Sequence, residues 1–304
     1  DDVWRIDYQM EPNADAAYIS REDVVRERLE RQFGKNVKVD IVWVGPYAYK
    51  SQCLNTLRMG RVFFIGDTAK IVNPFGARGG NTGVADADNL AWKLAAVLRG
   101  HADAAILESY NDERHEAAQE NVKVTRRTAR FLRPADGIEQ KFRKAAISLA
   151  KQYPFARSLI NTGRMAVANT YRGSRICGDN GGTSVQNVRF QWRQGKPGCL
   201  NDLLQWADGR LLILVFGPQT KAALKRLQDL STSGLPVRCV QVLAKGQTTQ
   251  VREHLIDTQQ HLQNACGTVP VGGWALVRPD GYLADSGKGV NGELISAVAS
   301  SLCL

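Results

Sequence analysis

The sequence predicts an α/β (α+β) chain built as two domains, residues 1–172 and 173–304. Three observations carry that expectation. Apolar residues recur at helical spacing through 20–33, 82–99 and 103–132; short β-rich apolar runs at 61–66, 210–216 and 237–243 alternate with helical stretches; and 173–198 turns glycine-rich and poor in apolar pairs, as a linker or irregular entry segment would. With 304 residues, 43% hydrophobic and 23% charged, the chain can bury one or two ordinary cores.

Residues 3–10 alternate as a strand. Ser20, followed by Glu22 and Asp23, predicts an N-cap with acids in the first turn of a helix that runs to about Phe33 and stops at Gly34. The run 37–49 is β-rich and places Val37, Val39, Ile41 and Trp43 on one face, with Pro46 ending or bending it. Residues 61–66 are almost uniformly apolar, as in a strand covered on both faces, and the run stops at Asp67. After a loop containing Pro74, Gly76, Gly79 and Gly80, a helix from about Thr82 to Arg99 is closed by Gly100, with Val84, Ala87, Ala91, Leu94 and Leu98 as its buried stripe. A second long helix, 103–132, ends before Pro134, and weaker helical patterns reach about Tyr153. Beyond the linker come a short helix (201–206), a strand (210–216), a helix (220–230), a strand (237–243), a helix (about 250–264), a strand (273–278), a Pro-Asp-Gly turn (279–281), a short strand and a terminal helix (292–302).

Composition excludes several classes. The longest purely aliphatic or aromatic run, 211–216, is far short of the roughly 20 residues a membrane-spanning helix needs. The opening residues are acidic and alternating where an export signal would be basic and then apolar. Six cysteines without a C-x-x-C pair argue against a zinc ribbon or a dithiol site, and fit reduced thiols and a cytoplasmic location. The four histidines show no metal-ligand spacing, so no metal is expected. The formal charge of +10 concentrates only at 123–144, after an acid-rich stretch at 103–120. That order suits the dipole of one long solvated helix, and no nucleic-acid motif accompanies it, so neither nucleic acid nor membrane is an expected partner.

The segment 66–86 carries the chemistry. It joins an apolar run to a helix through a glycine-rich turn, with Asp67 where it can accept hydrogen bonds from sugar-like hydroxyls. The free N–H groups near Gly79, Gly80, Asn81 and Thr82 would face whatever sits at the helix N-terminus, where negative charge is stabilised. Glycine lets backbone approach a flat ligand, and Pro74 fixes the loop. An ordinary strand-to-helix loop is the plain alternative.

With Gly66-Asp67, Pro74, Gly76, Gly79, Asn81, Asp86 and Asn89-Leu-Ala-Trp-Lys-Leu94 in this order, the segment resembles the second FAD-binding fingerprint of the FAD-dependent aromatic hydroxylases, flavoprotein monooxygenases of the p-hydroxybenzoate hydroxylase and phenol hydroxylase type. Residues 59–65 and 108–114 look like the same family, which extends the resemblance over about 1–135. Residues 200–304, with Trp274-Ala-Leu-Val-Arg-Pro-Asp-Gly281, look like the thioredoxin-like domain appended to phenol hydroxylase relatives; lacking C-x-x-C, that domain would be structural or dimer-forming, which leaves open a homodimer. The resemblance implies the back part of an FAD-binding Rossmann-like hydroxylase fold, with the family's opening βαβ unit and its Gly-x-Gly-x-x-Gly expected to be missing from this sequence, and no Asp-Gly signature for NAD(P)H upstream of Gly66. Such a chain is expected to bind FAD weakly by itself.

The resemblance further implies that Asp67 binds the ribityl chain of FAD. The backbone at Gly79, Gly80 and Asn81 would meet the pyrimidine edge of the flavin, and the Pro74 carbonyl would lie on the substrate side. NAD(P)H is the implied co-substrate, and the implied reaction passes an oxygen atom from O2 to a small phenolic or similar aromatic substrate. Trp43, Tyr47 and Tyr49 are candidates for lining the substrate pocket, with core packing as the plainer role. The family often has His where Lys70 stands; Lys70 could neutralise flavin or phosphate charge, or be an ordinary solvated lysine. Two rival readings are a non-catalytic fragment whose thioredoxin-like domain mediates association, and a basic nucleic-acid-binding protein.

Overall fold

A computed structural model describes residues 2–11, 13–35, 38–47, 50–74, 77–160, 167–192 and 195–304. It divides into two units, 1–49 and 50–304.

In the first unit, α1 (Ala16–Ile19) is capped by Asp15, whose carboxylate accepts from the N–H groups of Ala17 and Tyr18, and α2 (Glu22–Phe33) ends at Gly34 as expected. Ser20 is not the N-cap of α2. Arg21 takes that position, and the Ser20 hydroxyl donates to the Ala16 carbonyl at 2.7 Å, closing α1 instead. The alternating stretches 3–10 and 38–47 pair with no strand among the described residues. Val37 and Tyr49 lie outside the described residues.

The second unit opens with β1 (Gln52–Cys53), β2 (Arg58–Met59), β3 (Val62–Phe63) and β4 (Lys70–Ile71), paired antiparallel as β1 with β4 and β2 with β3. The strand expected over 61–66 is therefore only one arm of a two-residue hairpin turning at Gly60 (φ +61°), and its Val62 is exposed rather than covered on both faces. Three longer helices follow, α3 (Arg78–Leu98), α4 (Glu108–Leu132) and α5 (Ile138–Gln152), with α6 (Arg157–Ile160) after them. Gly100, at φ +70°, closes α3 from the position expected of it.

The remaining elements are β5 (Arg189–Trp192), β6 (Lys196–Cys199), α7 (Leu200–Ala207), β7 (Leu211–Phe216), α8 (Lys221–Thr232), β8 (Val237–Leu243), β9 (His254–Ile256), α9 (His261–Ala265), β10 (Trp274–Val277), β11 (Leu283–Gly287) and α10 (Gly292–Leu302). The strands form one sheet in the order β11-β10-β7-β8-β9-β5-β6, parallel across β7, β8 and β9 and antiparallel elsewhere. Two expectations are corrected here. The edge of β8 away from β7 pairs in parallel with 254–256, where the sequence predicts a helix from about 250 to 264. The helix begins only at His261, where the Asp257 carboxylate accepts the N–H groups of His261, Leu262 and Gln263 at 2.8–3.2 Å. Of the segment expected as a linker or irregular entry, 173–188 is irregular, and the last part enters the β5–β6 hairpin that continues the sheet beyond β9.

All six residues of β7 are buried, and their alternation feeds two cores. Leu212, Leu214 and Phe216 pack with Leu200, Leu203, Val240, Leu255 and Leu283. Leu211, Ile213 and Val215 pack with Trp274, Leu294 and Val298, and also with Trp92 and Ala96 of α3 and Ile106 and Leu107 just before α4. The expected boundary at 172/173 thus lies within the second unit, and a shared apolar core spans it. The loop carrying Gly178 and Gly182 is seated on β11, where both N–H groups donate at 2.8 Å to the Ala284 and Leu283 carbonyls. A methyl group on Gly181 would stand 2.1 Å from the Ala284 carbonyl oxygen. Gly181→Ala is therefore expected to lower stability by about 1–3 kcal/mol in urea unfolding; an unchanged midpoint would show that the loop is not held there.

Candidate functional site

Gly66 lies at φ +57°, a conformation that favours glycine, and opens a 3-10 turn, Gly66–Thr68, that presents Asp67 to solvent. The turn is closed by the Thr68 hydroxyl donating to the Ile65 carbonyl at 2.7 Å. It lies against α3: a Cβ on Gly83 would stand 3.4 Å from the Gly66 Cα, in van der Waals contact with the turn. One carboxylate fixes the contact. Asp86 Oδ2 accepts the Gly66 N–H at 2.9 Å and pairs with the Lys70 ammonium, while Oδ1 accepts from Arg114 Nε at 2.7 Å.

Helix α3 begins at Arg78, four residues before the expected start. Ala77 stands at the N-cap with left-handed backbone and no side-chain cap. Gly79 and Gly80 therefore lie in the first turn, where N–H groups have no intrahelical acceptor, and a Cβ on Gly80 would meet open space. Asn81 is exposed, and its side-chain amide donates to the Ala77 carbonyl at 2.7 Å. Pro74 is exposed, and its carbonyl accepts from the Ala77 N–H at 3.2 Å; Gly76 lies outside the described residues. Asp67, Pro74, Gly79, Gly80 and Asn81 thus lie on the segment and helix start the sequence singled out. Thr82 does not share the opening. It is buried in the second turn, and its hydroxyl accepts from Arg114 and Asn121 at 3.0 and 3.2 Å. Trp43 and Tyr47 belong to the first unit, where they are 78% and 73% exposed, so neither packs in a core there.

The sequence misjudged the buried face of α3. Val84 and Leu98 are 71% and 84% exposed, Ala87 and Ala91 are also exposed, and Leu94 is only half-buried. The buried face carries Thr82, Asp86, Asn89, Leu90, Lys93 and Ala96. These polar groups are paired, which is what permits their burial. Lys93 and Glu113 meet at 2.8 Å; the Arg278 fork grips Glu113 at 2.6 and 2.9 Å; the Asn89 amide and Ser174 hydroxyl also donate to Glu113. Burial pushes the Glu113 carboxyl up, but the Arg278 and Lys93 charges outweigh it and hold the group well below the usual carboxylate range. Burial brings the Lys93 ammonium down to about 8. Lys70 is likewise neither solvated nor turned to a ligand: it is buried against Asp86, and desolvation lowers it despite that partner. The signal for this face was present in the sequence as Asp86, Asn89 and Lys93 at helical spacing, with Glu113-Arg114 to answer them.

Residues 1–125 match the family described as FAD binding domain. The chain is 30% identical over 282 residues to 6-methylpretetramide 4-monooxygenase of Streptomyces rimosus, covering 88% of this chain and 49% of that protein. It is also 30% identical over 291 residues to 4-methyl-5-nitrocatechol 5-monooxygenase of a Burkholderia species, covering 88% and 48%. The chain is similar over most of its length to aromatic monooxygenases, and its first part to an FAD binding domain. It spans about half the length of the curated hydroxylase relatives it matches. The hydroxylase fold is shown by the flavin-dependent monooxygenase PieE, solved with FAD and substrate, which superposes with a TM-score of 0.78 at 22% identity over 97% of this chain and 56% of that one. Against the hydroxylase family, an open helix start bare of side-chain caps and a carboxylate turn clamped beside it fit FAD: donors for an electron-rich ring edge, an acceptor for hydroxyls, and no Cβ in the way at Gly80.

Proposed function

We propose that this chain is part of an FAD-dependent, NAD(P)H-using monooxygenase that hydroxylates a phenolic or related aromatic compound, and that Gly66–Asn81 is its flavin-facing edge. One observation carries the reading: the Asp86-clamped turn presents Asp67 beside a helix start that has no side-chain cap, and among the described residues no acceptor faces its Gly79 and Gly80 N–H groups. Asp67 accepts hydrogen bonds from hydroxyls of the cofactor's sugar-alcohol chain. Gly79, Gly80 and the dipole of α3 stabilise negative charge on the ring edge they face. Pro74 limits how the loop before α3 can move. When bound, the flavin would supply the redox chemistry, in which two electrons from a nicotinamide nucleotide and one O2 put one oxygen atom on the aromatic ring and release the other as water.

The second part of the reading concerns 173–304. The order β7-α8-β8, with its strands parallel, followed by the antiparallel β10–β11 pair and α10, supports a thioredoxin-like unit without the redox cysteines, in a structural or homodimer-forming role. Six free thiols suit a reducing compartment such as the cytoplasm. Among the described residues no helix is long and apolar enough to cross a membrane.

The test is FAD titration, followed by flavin fluorescence, on the full reading frame that contains this chain. Asp67→Ala removes charge-assisted hydrogen bonds and is expected to weaken FAD by about 10- to 100-fold. Equal affinity of the two proteins for FAD would refute the assignment, and NAD(P)H oxidation across a phenol series would then have no flavin to depend on.

A further inference from the structure

We propose that Arg278, just past the end of β10 in the C-terminal sheet, is a positioning residue for the Gly66–Thr68 turn. It acts through Arg114 and Asp86 without touching the turn itself. The inference rests on the flavin reading only for what Asp67 is presented to; the mechanical link stands on contacts.

Arg278 is fully buried. Its guanidinium is held on one side by Glu113 and on the other by Asp280, with Nε to Oδ1 at 3.0 Å and Nη2 to Oδ2 at 2.5 Å. It lies 5.4 Å from the Tyr171 ring centre and 5.6 Å from that of Tyr282, and the two rings stack at 4.2 Å. The Tyr171 hydroxyl accepts from Arg114 Nη1 at 2.7 Å. Arg114 then reaches Asp86, and Asp86 takes the Gly66 N–H. Two routes thus join Arg278 to Arg114: one across the face of Tyr171, and one through Glu113, its neighbour on α4.

Glu113, Arg114, Tyr171 and Asp86 are all at most 2% exposed, so a displaced member finds no water to replace its partner. A guanidinium that shifts must turn Tyr171 or Glu113, and either movement acts on the group that orients Asp86. Lysine at 278 would keep the charge but lose the two-pronged grip and the flat face against the rings. The C-terminal sheet would by this route set how firmly the cofactor-facing turn is held.

Contiguity alone does not establish coupling, so the test is a mutant cycle read at the far end. Amide exchange at Gly66 is measured on the full chain without flavin, together with amides of β7. Arg278→Lys is expected to speed Gly66 exchange by about tenfold or more, and Tyr171→Phe by about threefold, with β7 amides unchanged and the double variant departing from the product of the singles. The proposal is overturned if Gly66 exchange in both single variants stays within about twofold of the parent. It is equally overturned if β7 amides speed up as much as Gly66, since that marks general loosening, or if the two effects simply multiply. Should Arg278→Lys not fold, Tyr171→Phe decides alone by the same limits. Coupled exchange in a protein that binds no FAD would refute the flavin reading only, and uncoupled exchange in one that binds FAD would refute this inference only.

Discussion

Glu113→Ala is expected to destabilise the 50–304 unit by about 3–5 kcal/mol, because it leaves the Arg278 and Lys93 cations buried without their shared carboxylate. Urea unfolding followed by far-UV circular dichroism checks it, and a loss below about 1 kcal/mol would mean that water reaches the cluster. The burial of charge is the operative cause. Replacing Lys93, Glu113 and Arg278 together by Met, Leu and Met is accordingly expected to cost less than removing Glu113 alone. The pH dependence follows from the sign of the Glu113 shift. Its folded carboxyl sits below the unfolded value, so its stabilisation is complete above the ordinary Glu range, about 4.3, and is lost as pH falls toward the folded value. The stability gap between the parent and Glu113→Gln should be full at neutral pH and shrink on acidification. A gap that widened toward acid would contradict the charged pairing.

Asp86→Ala is expected to cost a similar amount, about 3–5 kcal/mol, since it strands Arg114 and Lys70 and leaves the Gly66 N–H without its acceptor. Its signature differs from that of Glu113→Ala. Loss of the clamp frees the turn bearing Asp67, so FAD affinity should fall by more than global destabilisation accounts for. Asp86→Asn is expected to be milder, about 1–3 kcal/mol, because an amide oxygen still accepts one donor and Lys70, already lowered by burial, can shed its proton. Calorimetric unfolding and FAD titration of both variants check this; equal losses from Ala and Asn would show that the Lys70 charge dominates the site.

The helices were legible in the sequence where local signals decide them. Gly34 and Gly100 stop α2 and α3, Thr220 caps α8 by accepting the Ala223 N–H, and α10 runs from Gly292 to Leu302 as its pattern says. The strands were legible only where a partner exists. Residues 211–216 and 237–243 pair in parallel, whereas 3–10 and 38–47 carry the same alternation and pair with nothing described. Residues 254–256 became a strand because β8 offers an edge, a fact of tertiary structure that no window of sequence contains. At the site, Asp67, Gly79 and Gly80 could be picked out because a turn and a helix start are local features. Lys70 could not be assigned, and Asp86 was marked only by its helical spacing with Asn89 and Lys93, since a charged residue reads as solvated until its partner is brought to it from another element.

The central place of β7 in its sheet bears on how the polypeptide emerges from the ribosome. Five of its six residues are Leu, Ile or Val, and its flank opposite β8 is occupied by β10, whose residues are translated much later. Until 274–277 arrive, that flank offers bare amide and carbonyl groups on a greasy ribbon, the kind of template on which nascent chains stick to one another. A product stopped short of Trp274 would carry this hazard permanently, so the segment most valuable to the finished core is also the one in greatest need of a chaperone's cover during synthesis.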